Sequence, residues 1–413
     1  MKALIGAILS KAGGSVFALA LVFYLGHTIG SEASGYFYFT LSVAMIASQL
    51  LRLGMDGVVL RLSSRYRHAG DSVALQTLAG DMLACLVGCG GAMVLAGKAV
   101  EPYVAPLLFS GADAHLLYGV ALYSFVPFSL MWVSAALLKG IGKTSLSVFI
   151  EAGSVPSIVL PAMLLQTGEP GLRFAADALL LANAIAASLA VLLVCVFAGC
   201  RLELSGLASR CRKLLAESVS SVWVAISNTL IVWSPLFFLG MLATPADVGI
   251  YNAAFRVTMV IGAFSPVFRG VSTPRLAGLL GRNESTIPFL RRSMAVIVFS
   301  GLPVLLAGEM TFGWIFAHFG EGFSSAPGLA MLMLVGMLAN VLFVIMETQL
   351  ILSDRNDLLR ANAIFTLLVA LPVTLVLIVL FQAYGAALGF VITNVLSRSN
   401  MLYLFNRTYA CRI

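Results

Sequence analysis

Charge is scarce in this sequence. Asp, Glu, Lys and Arg make up 10% of its 413 residues, where soluble globular chains carry about a quarter. That deficit excludes a soluble globular fold, because a solvated surface needs charge. Acid is scarcer than base, with 18 Asp and Glu against 25 Lys and Arg. The four histidines, His27, His68, His115 and His318, are scattered. The six cysteines form no disulfide framework and have no His at ligand spacing, so no metal site is expected. Cys85 and Cys89 share one helix face, and Cys200, Cys211 and Cys411 are expected in a reducing cytoplasm. Gly-rich phosphate loops, paired carboxylates and nucleophile elbows are all absent. No catalytic constellation and no cofactor are therefore expected.

Hydrophobic residues fill 60% of the chain, and mean hydropathy is +1.00. They fall into twelve apolar stretches, near 8–30, 34–54, 74–97, 116–138, 145–166, 177–199, 218–242, 250–271, 293–313, 327–350, 361–381 and 385–405. Each has roughly the 20 residues that a helix needs to cross a bilayer. Lipid cannot satisfy free backbone groups, so every crossing is expected to be helical. The fold class is thus all-α and polytopic, with about twelve transmembrane helices.

Basic residues alternate between connectors. Arg61, Arg65, Arg67, Lys139, Lys143, Arg201, Arg210, Arg212, Lys213, Arg275, Arg282, Arg291, Arg292, Arg355 and Arg360 follow even-numbered stretches. Lys2, Arg407 and Arg412 sit at the termini, and only Lys98 and Arg173 follow odd-numbered stretches. The positive-inside rule places both termini in the cytoplasm. Anionic membrane lipids suffice as countercharge, so the basic balance calls for no nucleic-acid partner. Lys11 interrupts the first apolar run, which continues past Ala20 to Ile29 and reads as an uncleaved span rather than a signal peptide.

A shift of 214 residues lays SEASGYFYF on PADVGIYNA. Gly35 then meets Gly249, Val43 meets Val257, Met45 meets Met259, Arg61 meets Arg275 and Leu62 meets Leu276. This points to two six-helix bundles, 1–205 and 206–413, the parallel-repeat architecture of transporters with the path between the halves. Pro127, Pro156, Pro161, Pro235, Pro266, Pro303 and Pro372 lie inside spans, as tolerated kinks or as bending points.

A charge inside the bilayer is costly and is a functional hypothesis by default. Arg256 lies about six residues, or ~9 Å, into the eighth span, and shares a face with Asn252. Arg52 and Arg269 lie near the cytoplasmic ends of spans two and eight, and Lys11 near the start of the first. Ser42, Met45, Gln49 and Arg52 form a polar-edged stripe. Each cation can snorkel to an interface; together the four make a positive lumen suited to an anionic substrate. Glu151 and Glu347 are the candidates for proton coupling or for structural ion pairing, ahead of Asp81 and Glu309. Asn183, Asn228, Asn340 and Asn394 are read as interhelical glue. Trp132, Trp223, Trp233 and Trp314 are read as belt or packing residues.

The opening region carries Ile29-Gly30, Glu32, Gly35-Tyr36, Leu53-Gly54-Met55-Asp56 and Arg61. LLKGIGKTSLS follows at 137–147, and Gly249-Ile250-Tyr251 with Phe255-Arg256 repeats the theme. This pattern resembles the polysaccharide transporter family, which includes Wzx-type O-antigen and exopolysaccharide flippases. The resemblance implies the fold of the multidrug/oligosaccharidyl-lipid/polysaccharide exporters in a bacterial inner membrane. It also implies transport of an undecaprenyl-pyrophosphate-linked oligosaccharide to the periplasmic leaflet, with polysaccharide polymerase and glycosyltransferases as partners. Two rival readings are a cation-coupled multidrug exporter and a membrane polymerase or ligase. The first calls for acid where Arg256 stands, and the second for a large periplasmic loop.

Overall fold

The computed structural model describes every residue except Met1, Ser110, Ala112, Thr167, Glu169, Pro170, Ala263, Asn283, Glu321, Asp354 and 410–413. The side chains at 2–5, 7–8, 220–221, 223–224, 227–228, 261, 264–267, 270–271, 274, 356 and 409 also lie outside the described set. Trp223, Asn228 and Pro266 fall among the latter, and Cys411 among the former.

The described chain is helical, with no strand among the described residues. The helices are α1 (Lys2–Arg52), α2 (Met55–Ala69), α3 (Ser72–Leu108), α4 (Ala114–Gly140), α5 (Thr144–Ala152), α6 (Ser154–Leu164) and α7 (Leu172–Phe197). After them come α8 (Leu207–Leu242), α9 (Pro245–Gly262), α10 (Phe264–Gly281), α11 (Ile287–Ala317), α12 (Ala326–Leu342), α13 (Val344–Leu352) and α14 (Asn356–Tyr409). With 51 and 54 residues, α1 and α14 are each more than twice as long as one crossing requires. Each contains one non-helical residue, Gly30 (φ 77°, ψ 178°) and Gln382 (φ 50°, ψ −125°), and is long enough for two passes joined there. Counting α5–α6, α9–α10 and α12–α13 as single passes, and the 15-residue α2 as none, then gives twelve among the described residues. Seven helices are long and apolar enough to cross a membrane, and α5–α6 is a span bent by 49°. The protein is a multi-pass membrane protein of the expected fold class.

Several expected connectors are helices instead. Residues between the second and third apolar stretches form α2, α3 runs on to Leu108, α8 begins at Leu207 and α10 continues to Gly281. The reason is visible in α2. Met55, Val58, Val59 and Ser63 are buried while Arg61, Arg65 and Arg67 are exposed. The helix stays amphipathic after its apolar run ends, and a charged face does not stop a helix. The stop comes at Gly70, in the left-handed region (φ 71°).

The α5–α6 break lies at Gly153. Pro156 has no N–H to offer the Ala152 carbonyl, so the ladder is interrupted there. The same glycine allows close packing, since Gly14 of α1 touches its backbone. Pro127, by contrast, sits inside an unbroken α4.

The chain forms two compact units, Met1–Ile29 with Tyr36–Trp233, and Gly30–Gly35 with Ser234–Ile413. The expected boundary at 205/206 falls in the irregular connector before α8, but α8 as far as Trp233 groups with the first unit. Two bonds help tie it there. Arg210 Nε donates to Asp81 Oδ2 at 2.7 Å and Thr229 Oγ1 to Gln49 Oε1 at 2.8 Å. The Asp81 hydrogen bond holds the Arg210 guanidinium above its ordinary pKa. In the first unit α4 is central and packs on α2, α3, α5 and α7. In the second, α12 packs on α9, α11 and α14, and α13 packs on α10.

Inside the second unit the repeat becomes a contact. A Cβ on Gly35 would meet the Pro245 carbonyl, and one on Gly249 would meet the Ser31 carbonyl. The two contacts are reciprocal, since Gly249 is the repeat equivalent of Gly35 and Pro245 that of Ser31, so two equivalent glycines let two backbones approach closely. Gly249→Ala is expected to cost about 1–3 kcal/mol through overpacking and to lower the unfolding temperature of the purified protein. Gly88→Ala, whose Cβ would meet open space, is the control and should be neutral or stabilising.

Candidate functional site

The first unit carries a polar network within its helices. Leu53 (φ 46°) and Gly54 (φ 80°) stop α1 and let α2 start at once. That break brings Asp56 back beside Arg52, whose Nη1 lies 2.9 Å from Asp56 Oδ2. Arg52 Nη2 donates to Gln49 Oε1 at 2.9 Å, and its Nε to the Ser48 carbonyl at 3.3 Å. The Trp132 ring lies 5.2 Å from the guanidinium. Arg52 is 4% exposed, and this full set of partners is what a buried guanidinium requires. Lys139 Nζ meets both Glu151 oxygens, at 2.9 and 3.3 Å. Glu151 also acts electrostatically on Arg52, so the two pairs form one network.

The second unit has its own network, centred on Glu347. The chain breaks at Phe343, and Glu347 stands in the first turn of α13, where a helix N-terminus favours a carboxylate. Its Oε2 lies 3.4 Å from Arg269 Nη2 and 3.5 Å from Arg398 Nη1. Arg398 Nη2 donates to Asn340 Oδ1 at 2.7 Å. On α9, Asn252 is buried, with Nδ2 unpartnered among the described residues. Arg256 follows one turn later and is half-buried. Phe255 stacks on Tyr251 at 6.2 Å and meets Phe390 edge-on at 5.6 Å.

The candidates read from sequence therefore divide. Lys11, Gln49, Arg52 and Glu151 belong to the first unit, and Asn252, Arg256, Arg269 and Glu347 to the second. Gln49, Arg52 and Glu151 come together, as do Arg269 and Glu347. Lys11 is exposed, and its carbonyl accepts from Ser15 Oγ at 2.9 Å. Asn340 does join two helices through Arg398. Asn394 bonds within its own helix, to the Phe390 carbonyl at 2.8 Å. Asn183 is buried, with neither amide atom partnered among the described residues, so it is no interhelical glue there. Sequence reasoning missed Arg398 as a site residue and counted Lys139 as a connector charge. The signal for Arg398 was present: it is a cation inside the last span, flanked by Asn394 and Asn400.

Residues 3–279 match the family described as polysaccharide biosynthesis protein. The chain belongs to that family. Among solved structures, it is similar to an inward closed conformation of the lipid II flippase MurJ, with TM-score 0.72 and 11% identity, covering 96% of this chain and 87% of that one. It is also similar to an inward-facing multidrug resistance MATE family transporter of the MOP superfamily, with TM-score 0.68, 16% identity and 98% of each chain covered. A third is a MOP superfamily transporter from Pyrococcus furiosus, whose structure is described as having a binding pocket of reverse polarity that suggests a different function. Its TM-score is 0.61 at 16% identity, over 99% of this chain and 96% of that one. At these identities the likeness establishes the fold that these transporters share, and the fold alone. No curated protein matches.

The Lys139–Glu151 pair yields a stability prediction. Either single change, Lys139→Ala or Glu151→Ala, leaves a half-buried charge without its partner. The cost should be roughly 1–3 kcal/mol, below that of breaking a fully buried pair. The double variant should recover most of the lost membrane abundance, measured by quantitative blotting. A double variant as depleted as the worse single would contradict the pairing.

Proposed function

We propose that this protein is a flippase that moves undecaprenyl-pyrophosphate-linked oligosaccharide units, the repeats of an O-antigen, capsule or exopolysaccharide, across the bacterial inner membrane. It works by alternating access of two six-helix halves, 1–205 and 206–413, with both termini in the cytoplasm. A polysaccharide polymerase and glycosyltransferases act beside it. The observation that carries this reading is the family match, together with helices that embed Arg52, Arg256, Arg269 and Arg398. A pyrophosphate crossing a bilayer loses its hydration, and arginine is the side chain suited to replace it. Arg256, Arg52, Lys11 and Arg269 supply the positive charge, while Asn252 and Gln49 add polar contacts. Glu151 and Glu347 carry the coupling to an ion or proton.

The second reading is a cation-coupled multidrug exporter, in keeping with the MATE-like fold. A cationic drug calls for embedded acid, and the α9 position discussed above is Arg256. The flippase reading is therefore preferred.

Deleting the gene should remove a surface polysaccharide while its lipid-linked precursor accumulates on the cytoplasmic leaflet. Normal surface polysaccharide with new sensitivity to cationic drugs would favour the exporter instead. Within the protein, Arg256→Ala should cut export at near-normal membrane abundance. Arg256→Lys should retain part of the activity, since charge survives but the planar fork does not. Arg256→Glu should be worst, because repulsion replaces attraction where screening is poor. Full export by Arg256→Glu would remove this residue from the substrate path.

A further inference from the structure

The two polar networks differ in charge balance. The first unit sets Arg52 and Lys139 against Asp56 and Glu151, two cations to two carboxylates. The second sets Arg269 and Arg398 against Glu347 alone, two cations to one carboxylate. Among the described residues, the charged groups acting on Arg398 are Glu347 and Arg269. One positive charge is therefore left over inside a helical unit, where charge is expensive.

The geometry agrees with the count. In the first unit each pair closes to 2.9 Å, the upper end of the ~2.7–2.9 Å of a charge-assisted bond. Glu347 instead shares a single oxygen between both arginines, at 3.4 and 3.5 Å. It is loosely held by each. Arg398 Nε is buried and finds no acceptor among the described residues. Its side chain is 15% exposed, and Asn340 fixes the far side of the guanidinium at 2.7 Å. Arg269 is 43% exposed, so the network opens at that edge. The cluster thus has a spare positive charge, a spare buried donor and a way in.

We propose that Arg398 and Arg269 form a binding site for a phosphate-class anion, in which Asn340 positions Arg398 and Glu347 is an internal stand-in that the anion displaces. A phosphate or pyrophosphate group brings the missing negative charge. It also brings several acceptor oxygens, enough to engage the Arg398 fork and Arg269 together. Glu347 occupies the arginines when the site is empty and yields them when the anion arrives. The inference rests on the flippase reading only for the source of the anion, which there is the pyrophosphate of the lipid-linked sugar.

The test uses the full chain in phosphatidylcholine nanodiscs, with affinity measured for two probes, undecaprenyl pyrophosphate and inorganic pyrophosphate. Glu347→Gln removes the competing charge at constant shape and should tighten binding severalfold. Arg398→Gln should weaken it by about tenfold or more, and Arg398→Lys by less, because a point charge remains. Unfolding temperatures measured alongside identify any variant that fails to fold; Glu347→Gln and Arg398→Lys keep the test decisive if Arg398→Gln does. A network that only cross-links helices would lose stability in these variants without the opposite shifts in affinity. Affinity that is indifferent to both residues, weaker binding by Glu347→Gln, or no binding of either probe to any form would overturn the inference. Undecaprenyl pyrophosphate binding that ignores both residues would overturn it while leaving the flippase reading intact. Opposite shifts seen with inorganic pyrophosphate alone would support the site and count against the lipid-linked substrate.

Discussion

A guanidinium taken out of water must be met by acceptors and countercharge wherever it stops, and that requirement organises this molecule. Three interruptions of the helices lie beside embedded charge. Leu53 and Gly54 separate Arg52 from Asp56. Gly153 follows Glu151 by two residues. Phe343 stands between Asn340 and Glu347. Each break redirects the backbone next to the side chains that must converge. The breaks also expose carbonyl and amide groups, which membrane helices tolerate where protein surrounds them. Most of the rest of the architecture is long, apolar and regular, with charge concentrated near these places or at exposed helix ends.

Charge satisfaction is unequal in the two units. The Arg52 network balances two cations with two carboxylates, each pair closing to 2.9 Å. The Glu347 network is stretched, more open and, among the described residues, one negative charge short. Buried ionic networks contribute little net stability compared with apolar packing.

Much of the fold was legible in the sequence. Hydropathy specifies a multi-pass helical fold because the bilayer imposes a length on each apolar stretch. The repeat interval that pairs Gly35 with Gly249 also anticipates a real backbone contact. The break near Pro156 follows from proline chemistry. Other features were hidden. The α2 segment and the end of α10, 272–281, look like loops by hydropathy but continue as helix. The Phe343 break has no proline or glycine to announce it. The pairing of Lys139 with Glu151, and of Arg398 with Glu347, depends on which helices pack together, and one sequence does not encode that locally.

The central claim is that this chain carries a polyprenyl-pyrophosphate-linked oligosaccharide across a bilayer. The most direct measurement reconstitutes the purified protein in liposomes containing such a lipid with a fluorescent sugar. A membrane-impermeant quencher then reports how much of the label each leaflet holds over time. The account predicts that protein speeds exchange between leaflets, and that a polyprenyl carrier without pyrophosphate moves no faster than in empty liposomes. Leaflet exchange at the protein-free rate, in liposomes where the protein is folded and inserted, would contradict it.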